Sequence, residues 1–120
     1  MIIAATSRTP EIIFSEQNCS IKGECYPENI SEFSKPFMEK LASSLAQSES
    51  YKVDIEMYYF NSSSAKLFFD VFDLLDGLAA QHKQVEVVWR YREDDDTMLE
   101  AGEEFQEDLQ HLKFIVESVD

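Results

Sequence analysis

The sequence predicts an α/β fold in which a mixed β-sheet carries its helices mainly on one face. The first observation is the order of the elements, β-β-α-β-α-β-α-β, because strands that alternate with helices imply crossover connections. The second is the alternation of apolar and polar residues within the strands, which leaves one sheet face solvated. Apolar residues fill 44% of the 120 positions, with only three glycines and three prolines, which favours a packed core in a single domain over residues 1–120.

A β-hairpin is predicted near the N-terminus. Thr9-Pro10 precedes a short apolar run at Ile12–Phe14, and a second short run around Ile21 ends at Gly23. The polar stretch between the two runs suits a turn, so the two strands should pair with each other.

The first helix is expected to begin near Ser34. Pro36 follows closely, and proline is tolerated in a first helical turn because its missing N–H is not needed there. The helix should end near Gln47, and its apolar residues recur at helical spacing: Phe37, Leu41 and Leu45.

The second half of the chain alternates strands and helices. Residues Tyr51–Phe60 alternate as in a half-buried strand, and a long helix is expected from Ser62 to about Gln81. A strand over Gln84–Tyr91, a third helix and a last strand over Leu112–Val119 complete the chain. The side chains expected to face the core are Val53, Ile55, Met57, Tyr59, Val85, Val87, Trp89, Tyr91, Met98, Ala101, Phe105 and Leu109.

The charge of the chain excludes several classes of function. Ten basic residues face 24 acidic ones, for a formal net charge of −14, and such a surface repels nucleic acid and anionic lipid. Cys19 and Cys25 are expected to be free thiols, because a disulfide-stapled secreted domain would carry more cysteines. The N-terminus lacks the pattern of a signal peptide, and no apolar run is long enough for a membrane span. A cytoplasmic protein is therefore expected.

The most informative local motif is Asn61-Ser62-Ser63-Ser64-Ala65-Lys66, where a strand gives way to the long helix. Asn and Ser at this point are typical helix caps. On a helical wheel, Ser62 shares a polar stripe with Lys66, Asp70 and Asp73, Ser63 lies at its edge, and Ser64 points into the core. Phe69 falls within the same stripe, where we expect an exposed phenylalanine that is either unremarkable or an anchor for a partner.

Ser62 is suited to phosphorylation. A helix N-terminus offers unpaired N–H groups and a partial positive charge, which stabilise an added dianion. Lys66 follows four residues later, in the favourable order of anion before cation. A phosphate at Ser62 should therefore change the surface without disturbing the fold.

The sequence predicts no enzyme, cofactor or metal site. The acidic run Glu93–Asp96 is better explained by capping of the next helix than by Mg²⁺ binding, because consecutive acids in one loop point apart. Neither cysteine has a motif that would pair it with His82 or His111 as nucleophile and base. Three glycines do not make a phosphate-binding loop.

With these features, the chain resembles the SiaC-like bacterial regulatory phosphoproteins, whose fold is similar to that of the STAS domains of anti-sigma-factor antagonists. The resemblance covers nearly the whole chain. It rests on Thr9-Pro10, Gly23, Tyr26-Pro27-Glu28-Asn29, Tyr59–Lys66, Val87–Tyr91 and Glu100–Phe105.

The resemblance implies a partner-switching role. In the family, the residue after the Asn of the strand-to-helix motif is phosphorylated by a dedicated kinase and restored by a PP2C-type phosphatase, and here that residue is Ser62. The unphosphorylated form is expected to bind and promote a diguanylate cyclase, which raises cyclic di-GMP and favours biofilm growth. The alternative is a constitutive binding subunit of the same fold, in which the serines are only caps.

The segment Tyr26-Pro27-Glu28-Asn29 has two interpretations. It is either a turn that positions the first helix, with Asn29 bonded to local backbone, or part of the surface that contacts a partner. Together with Asn61, Ser63, Lys66, Phe69 and Asp73, it completes the predicted switch and contact region around Ser62.

Overall fold

A computed structural model describes residues 1–119. Its elements, in chain order, are β1 (Ile2–Ile3), β2 (Glu11–Phe14), β3 (Asn18–Cys25), α1 (Ile30–Ala46), β4 (Ser50–Phe60), α2 (Ser62–Ala80), β5 (Gln84–Arg92), α3 (Asp96–Glu107) and β6 (Lys113–Val119). The predicted fold class is confirmed. The one additional element, β1, pairs Ile2 with Ile13 and Ile3 with Ile12, and two residues are too few to show any periodicity in the sequence.

The strands follow one another across the sheet in the order of the chain, from β1 to β6. The pairs β1–β2 and β2–β3 are antiparallel, which confirms the hairpin, and β3 to β6 are parallel. Each parallel crossover therefore steps in the same direction. Because such crossovers share one hand, successive steps in one direction place α1, α2 and α3 on the same face.

An aromatic cluster fills the space between the sheet and the helices. Trp89 on β5 is fully buried, and its indole N–H donates to the carbonyl oxygen of Met98 on α3 at 2.9 Å. Gly102 allows this close approach, since a Cβ atom there would lie 2.5 Å from Cδ1 of Trp89. The other rings in mutual contact here are Phe60, Phe68, Phe72, Phe105 and Phe114.

The predicted start of α1 is wrong by four residues. The helix begins at Ile30, and Asn29 caps it by accepting hydrogen bonds from the N–H groups of Ser31 and Glu32. Pro36 consequently lies inside the helix and not in its first turn. The cap and the buried face of the helix outweigh the one hydrogen bond that the proline removes.

The alternation predicted for β4 is wrong at its last residues. Gly23 pairs with Met57 but Glu24 pairs with Tyr59, so Tyr58 is an extra residue in β4, a β-bulge. Beyond the bulge the pattern shifts by one position. Tyr59 is 48% exposed, and Phe60 packs into the aromatic cluster in its place.

Two other expectations are confirmed. Asp95 caps α3, accepting a hydrogen bond from the N–H of Met98 at 3.1 Å, as proposed for the acidic run. Cys19 and Cys25 are free and buried, and burial raises the pKa of the Cys19 thiol to about 12.

Over residues 1–119, no helix combines the length and the hydrophobicity needed to cross a membrane.

Candidate functional site at the carboxyl edge of the sheet

The parallel strands end at a common edge, where all three helices begin. The caps of α1, α2 and α3 are Asn29, Asn61 and Asp95, each just beyond the end of a strand. This edge is therefore lined by three helix N-termini and their caps. It brings the predicted contact segment at Tyr26–Asn29 next to Ser62, since the N–H of Asn61 donates to the carbonyl oxygen of Cys25 at 3.3 Å.

Ser62 occupies the first helical position of α2, and Asn61 is the cap. The side-chain oxygen of Asn61 accepts from the N–H of Ser64 at 3.0 Å, and its backbone oxygen accepts from Ala65 at 2.9 Å. Ser62 and Ser63 are exposed. Within residues 1–119, the N–H groups of these two serines have no hydrogen-bond acceptor, so both remain available to an anion.

Ser64 faces the opposite way, as the helical wheel predicts. Its side chain is fully buried, and the thiol of Cys25 lies beside it. Burial raises the pKa of Cys25, an effect that the contact with Ser64 partly offsets, so the thiol stays protonated. An enzyme that modifies the folded chain therefore has access to Ser62 and Ser63 but not to Ser64.

The polar stripe of α2 is mostly as predicted, with one correction. Lys66 forms an ion pair with Asp70, with 3.2 Å between Nζ and Oδ2, and Asp73 is exposed. The expectation that Phe69 is exposed is wrong, because Phe69 is half-buried and meets Phe105 of α3 edge to face, with 4.7 Å between ring centroids. The wheel of one helix does not show where the next helix will pack.

Asp76 holds the connection between α3 and β6. Its Oδ1 accepts hydrogen bonds from the N–H groups of Gln110 at 3.2 Å and of His111 and Leu112 at 2.8 Å. Desolvation alone would raise the pKa of this carboxyl, but the three backbone donors together outweigh it and lower the pKa below its usual value. The structural role of this aspartate has no local signal in the sequence, because its donors lie more than thirty residues away.

The segment Tyr26–Asn29 is tied to the loop before β2. The N–H of Tyr26 donates to the carbonyl oxygen of Arg8 at 2.7 Å, and its hydroxyl donates to the carbonyl oxygen of Ser7 at 2.8 Å. Arg8 also pairs with Glu28 at 3.1 Å. With Asn29 acting as a cap, the structural interpretation of this segment is supported, while contact of the same exposed loop with a partner stays a prediction.

Sequence reasoning missed four residues that line this edge on the helix-free side of the sheet, namely Arg8, Tyr58, Tyr59 and Arg92. Tyr59 meets the ring of Tyr26 edge to face at 5.5 Å, and the guanidinium of Arg8 lies 6.0 Å from the centroid of Tyr26. The guanidinium of Arg92 stacks over Tyr58 at 3.9 Å. The β-bulge turns two consecutive tyrosines away from the core, and no periodicity in the sequence reveals such a bulge.

The chain is similar to one family over nearly its whole length. The profile of the SiaC family regulatory phosphoproteins matches residues 3–119. An uncharacterized protein of Pseudomonas aeruginosa strain UCBPP-PA14 is 31% identical over 109 residues, which cover 88% of this chain and 86% of that protein.

Solved structures with the same fold come from Pseudomonas aeruginosa. SiaC crystallised in complex with the diguanylate cyclase SiaD, which it activates, superposes with a TM-score of 0.92 at 29% identity and covers 99% of both chains. A second SiaC structure gives a TM-score of 0.89 at 28% identity, with 99% of this chain and 98% of that one covered. Apo-SiaC gives 0.86 at 28% identity, covering 98% and 97%.

Proposed function

Because the chain belongs to the SiaC family of regulatory phosphoproteins, we propose that it is a partner-switching regulator controlled by phosphorylation of Ser62. In this proposal the unphosphorylated chain binds and promotes a diguanylate cyclase in cyclic di-GMP signalling. A serine/threonine kinase adds the phosphate and a PP2C-type phosphatase removes it. The chain itself, residues 1–120, acts in the cytoplasm as a single regulatory domain without catalytic activity or cofactor.

The observation that carries the proposal is the placement of Ser62. It is exposed and makes no side-chain hydrogen bond within residues 1–119, because Asn61 performs the capping. The oxygens of a phosphate on Ser62 would accept hydrogen bonds from the unused N–H groups of the first turn, and the positive end of the helix would stabilise its charge. Phosphorylation at this position therefore requires no rearrangement of the core.

Lys66 supplies a local response to the phosphate. In the unmodified chain its ammonium group pairs with Asp70. A phosphate four residues before Lys66 competes with that carboxylate for the same cation. Phosphorylation would thus redistribute charge along the first two turns of α2 while leaving the buried face unchanged.

A diguanylate cyclase is proposed as the partner because a similar protein has been crystallised with one. SiaC of Pseudomonas aeruginosa, 29% identical to this chain, has been crystallised with the diguanylate cyclase that it activates. Placing a hydrated dianion within a protein interface is costly unless a cation on the partner compensates for it, so phosphate at Ser62 should oppose binding.

The test is phosphorylation followed by a binding titration. After incubation with the host's kinase, intact-mass and peptide analysis should place one phosphate on Ser62 and none on the buried Ser64. Calorimetric titration into the host's diguanylate cyclase should then show binding by the unmodified chain, and binding weakened by at least about a hundredfold after phosphorylation.

Two variants serve as controls. Ser62→Ala should bind the cyclase whether or not the kinase is present, and Ser62→Asp, with one charge in place of nearly two, should bind with intermediate affinity. Equal affinity of the phosphorylated and unmodified chains would contradict the switch and favour the constitutive binding subunit.

A further inference from the structure

At the carboxyl edge that also holds Ser62, on the helix-free side of the sheet, lies a row of aromatic and guanidinium groups. Its members are Arg8, Tyr26, Tyr59, Tyr58 and Arg92, and we refer to them as the tyrosine–arginine row. The guanidinium of Arg8 lies over the ring of Tyr26, and that ring meets the ring of Tyr59 edge to face. The guanidinium of Arg92 stacks over the ring of Tyr58, the residue before Tyr59. Two of the three arginines in a chain of net charge −14 are concentrated here.

The β-bulge creates this row. Without it, the alternation of β4 would bury Tyr59 behind Met57, and only Tyr58 would face outwards. With it, both tyrosines leave the core: Tyr58 is half-buried under Arg92, and Tyr59 is 48% exposed beside Tyr26. Bulges are frequent next to functional sites, where they redirect a side chain.

The composition of the row is that of a protein-binding surface. Tyrosine and arginine are enriched among the residues that dominate binding energy at protein interfaces. Tyr59 is 48% exposed, and Arg92 is exposed at the end of β5. Within residues 1–119, no carboxylate forms a salt bridge with Arg92, whereas Arg90 on the same strand pairs with both Asp54 and Glu117.

We propose that the tyrosine–arginine row is the surface on which the cyclase docks, an inference that rests on the proposed function. The segment of the cyclase that binds the row carries a carboxylate next to an apolar or aromatic side chain. The carboxylate binds the guanidinium of Arg92, which its stacking on Tyr58 holds in place, because the planar fork of arginine matches a carboxylate with two parallel hydrogen bonds. The apolar side chain packs against Tyr59.

This surface also explains how the phosphate acts. Asn61 directly follows β4, so Ser62 lies at the same edge as the row, three residues after Tyr59. A dianion at Ser62 is an intramolecular competitor for the arginines that receive the carboxylate of the partner. Phosphorylation then weakens docking in two ways: it neutralises these arginines, and it repels the carboxylate of the cyclase.

The test measures binding of the unmodified chain and its variants to the cyclase by calorimetry. Arg92→Gln and Tyr59→Ala should each weaken binding about tenfold or more, the scale of a central interface residue. Arg92→Lys should recover only part of the loss, since lysine keeps the charge but not the fork or the stacking. Lys113→Gln, which removes an exposed charge at the opposite edge, is the matched control and should bind like wild type. Unchanged denaturation midpoints would show that the variants fold.

Competition by the phosphate is tested with a double-mutant cycle. The loss of affinity caused by Ser62→Asp should be smaller in the Arg92→Gln background than in wild type. Equal losses in the two backgrounds would refute the competition.

The two proposals fail in different ways. If Arg92→Gln and Tyr59→Ala bind like wild type while phosphorylation still abolishes binding, the row is not the docking surface and the switch at Ser62 stands. If the unmodified wild type does not bind the cyclase, the proposed function and this inference both fail.

Discussion

The two faces of the sheet are built from the same strands but from different chemistry. The helix-covered face is aromatic and buried, with Trp89 fully enclosed beneath Gly102 of α3. The open face carries crossed ion pairs, such as Arg90 with Asp54 and Glu117, whose side chains remain between 24% and 50% exposed. Because exposed ion pairs contribute little and buried rings contribute much, the stability of the molecule resides on the covered face.

The candidate functional edge lies where these two faces meet. In the first turn of α2, Ser64 is fully buried on the covered side, and Ser62, two residues earlier, is exposed. A covalent change at Ser62 therefore alters the surface without entering the core. This separation fits the proposed switch, in which the surface changes while the fold is kept, and the following predictions compare the two faces and the edge between them.

The largest effect is expected on the covered face. Trp89→Ala removes a fully buried ring and leaves the carbonyl oxygen of Met98 without its donor, so the free energy of unfolding should fall by about 3–5 kcal/mol. Denaturant titration gives this value. Trp89→Phe, which keeps an aromatic ring but loses the N–H, is the matched variant and should lose less. A loss below about 1 kcal/mol for Trp89→Ala would mean that the aromatic cluster is not the stabilising core.

An intermediate effect is expected at Asp76, which joins α2 to the loop before β6. Asp76→Ala leaves three backbone N–H groups without their acceptor and should lower the free energy of unfolding by about 1–3 kcal/mol at neutral pH. Because the pKa of Asp76 is lowered in the folded chain, its contribution is complete above the unfolded pKa of about 3.9. The contribution is lost as the pH falls through the folded pKa.

The pH dependence separates this role from a general effect of charge. The difference in stability between wild type and Asp76→Ala, measured by denaturant titration at a series of pH values, should shrink as the pH falls below 4. Asp73→Ala, one turn earlier and exposed, should change the stability little at any of these values. A difference for Asp76→Ala that stays constant from pH 7 to pH 2 would disagree with the lowered pKa.

The sequence predicted the elements well because their signals are local. Alternation located β4 and β5, and helical spacing placed Ser62 outside and Ser64 inside. Three of the errors share a physical cause, which is that each depends on a contact between distant segments. The bulge at Tyr58 exists only in the register of β3 against β4, the burial of Phe69 depends on α3, and the role of Asp76 depends on the loop that follows α3.

The start of α1 is a different kind of error. Its signal, Asn29 as a cap, is present in the sequence, but Pro36 favours a start near Ser34 because that start would place the proline in the first turn. Proline in a helix interior is costly without being prohibited. A cap followed by apolar residues at helical spacing should therefore take precedence over a proline when the start of a helix is assigned.

The smallest effect on stability is expected at Ser62, although its effect on function should be the greatest. Asn61→Ala removes the cap of α2 and should cost about 1 kcal/mol. Ser62→Ala removes an exposed hydroxyl that has no partner within residues 1–119, and should change the free energy of unfolding by less than about 0.5 kcal/mol. Parallel denaturant titrations of the two variants make the comparison. Equal losses would show that Ser62 contributes to the cap, in which case phosphorylation would disturb the helix itself as well as the surface presented to the partner.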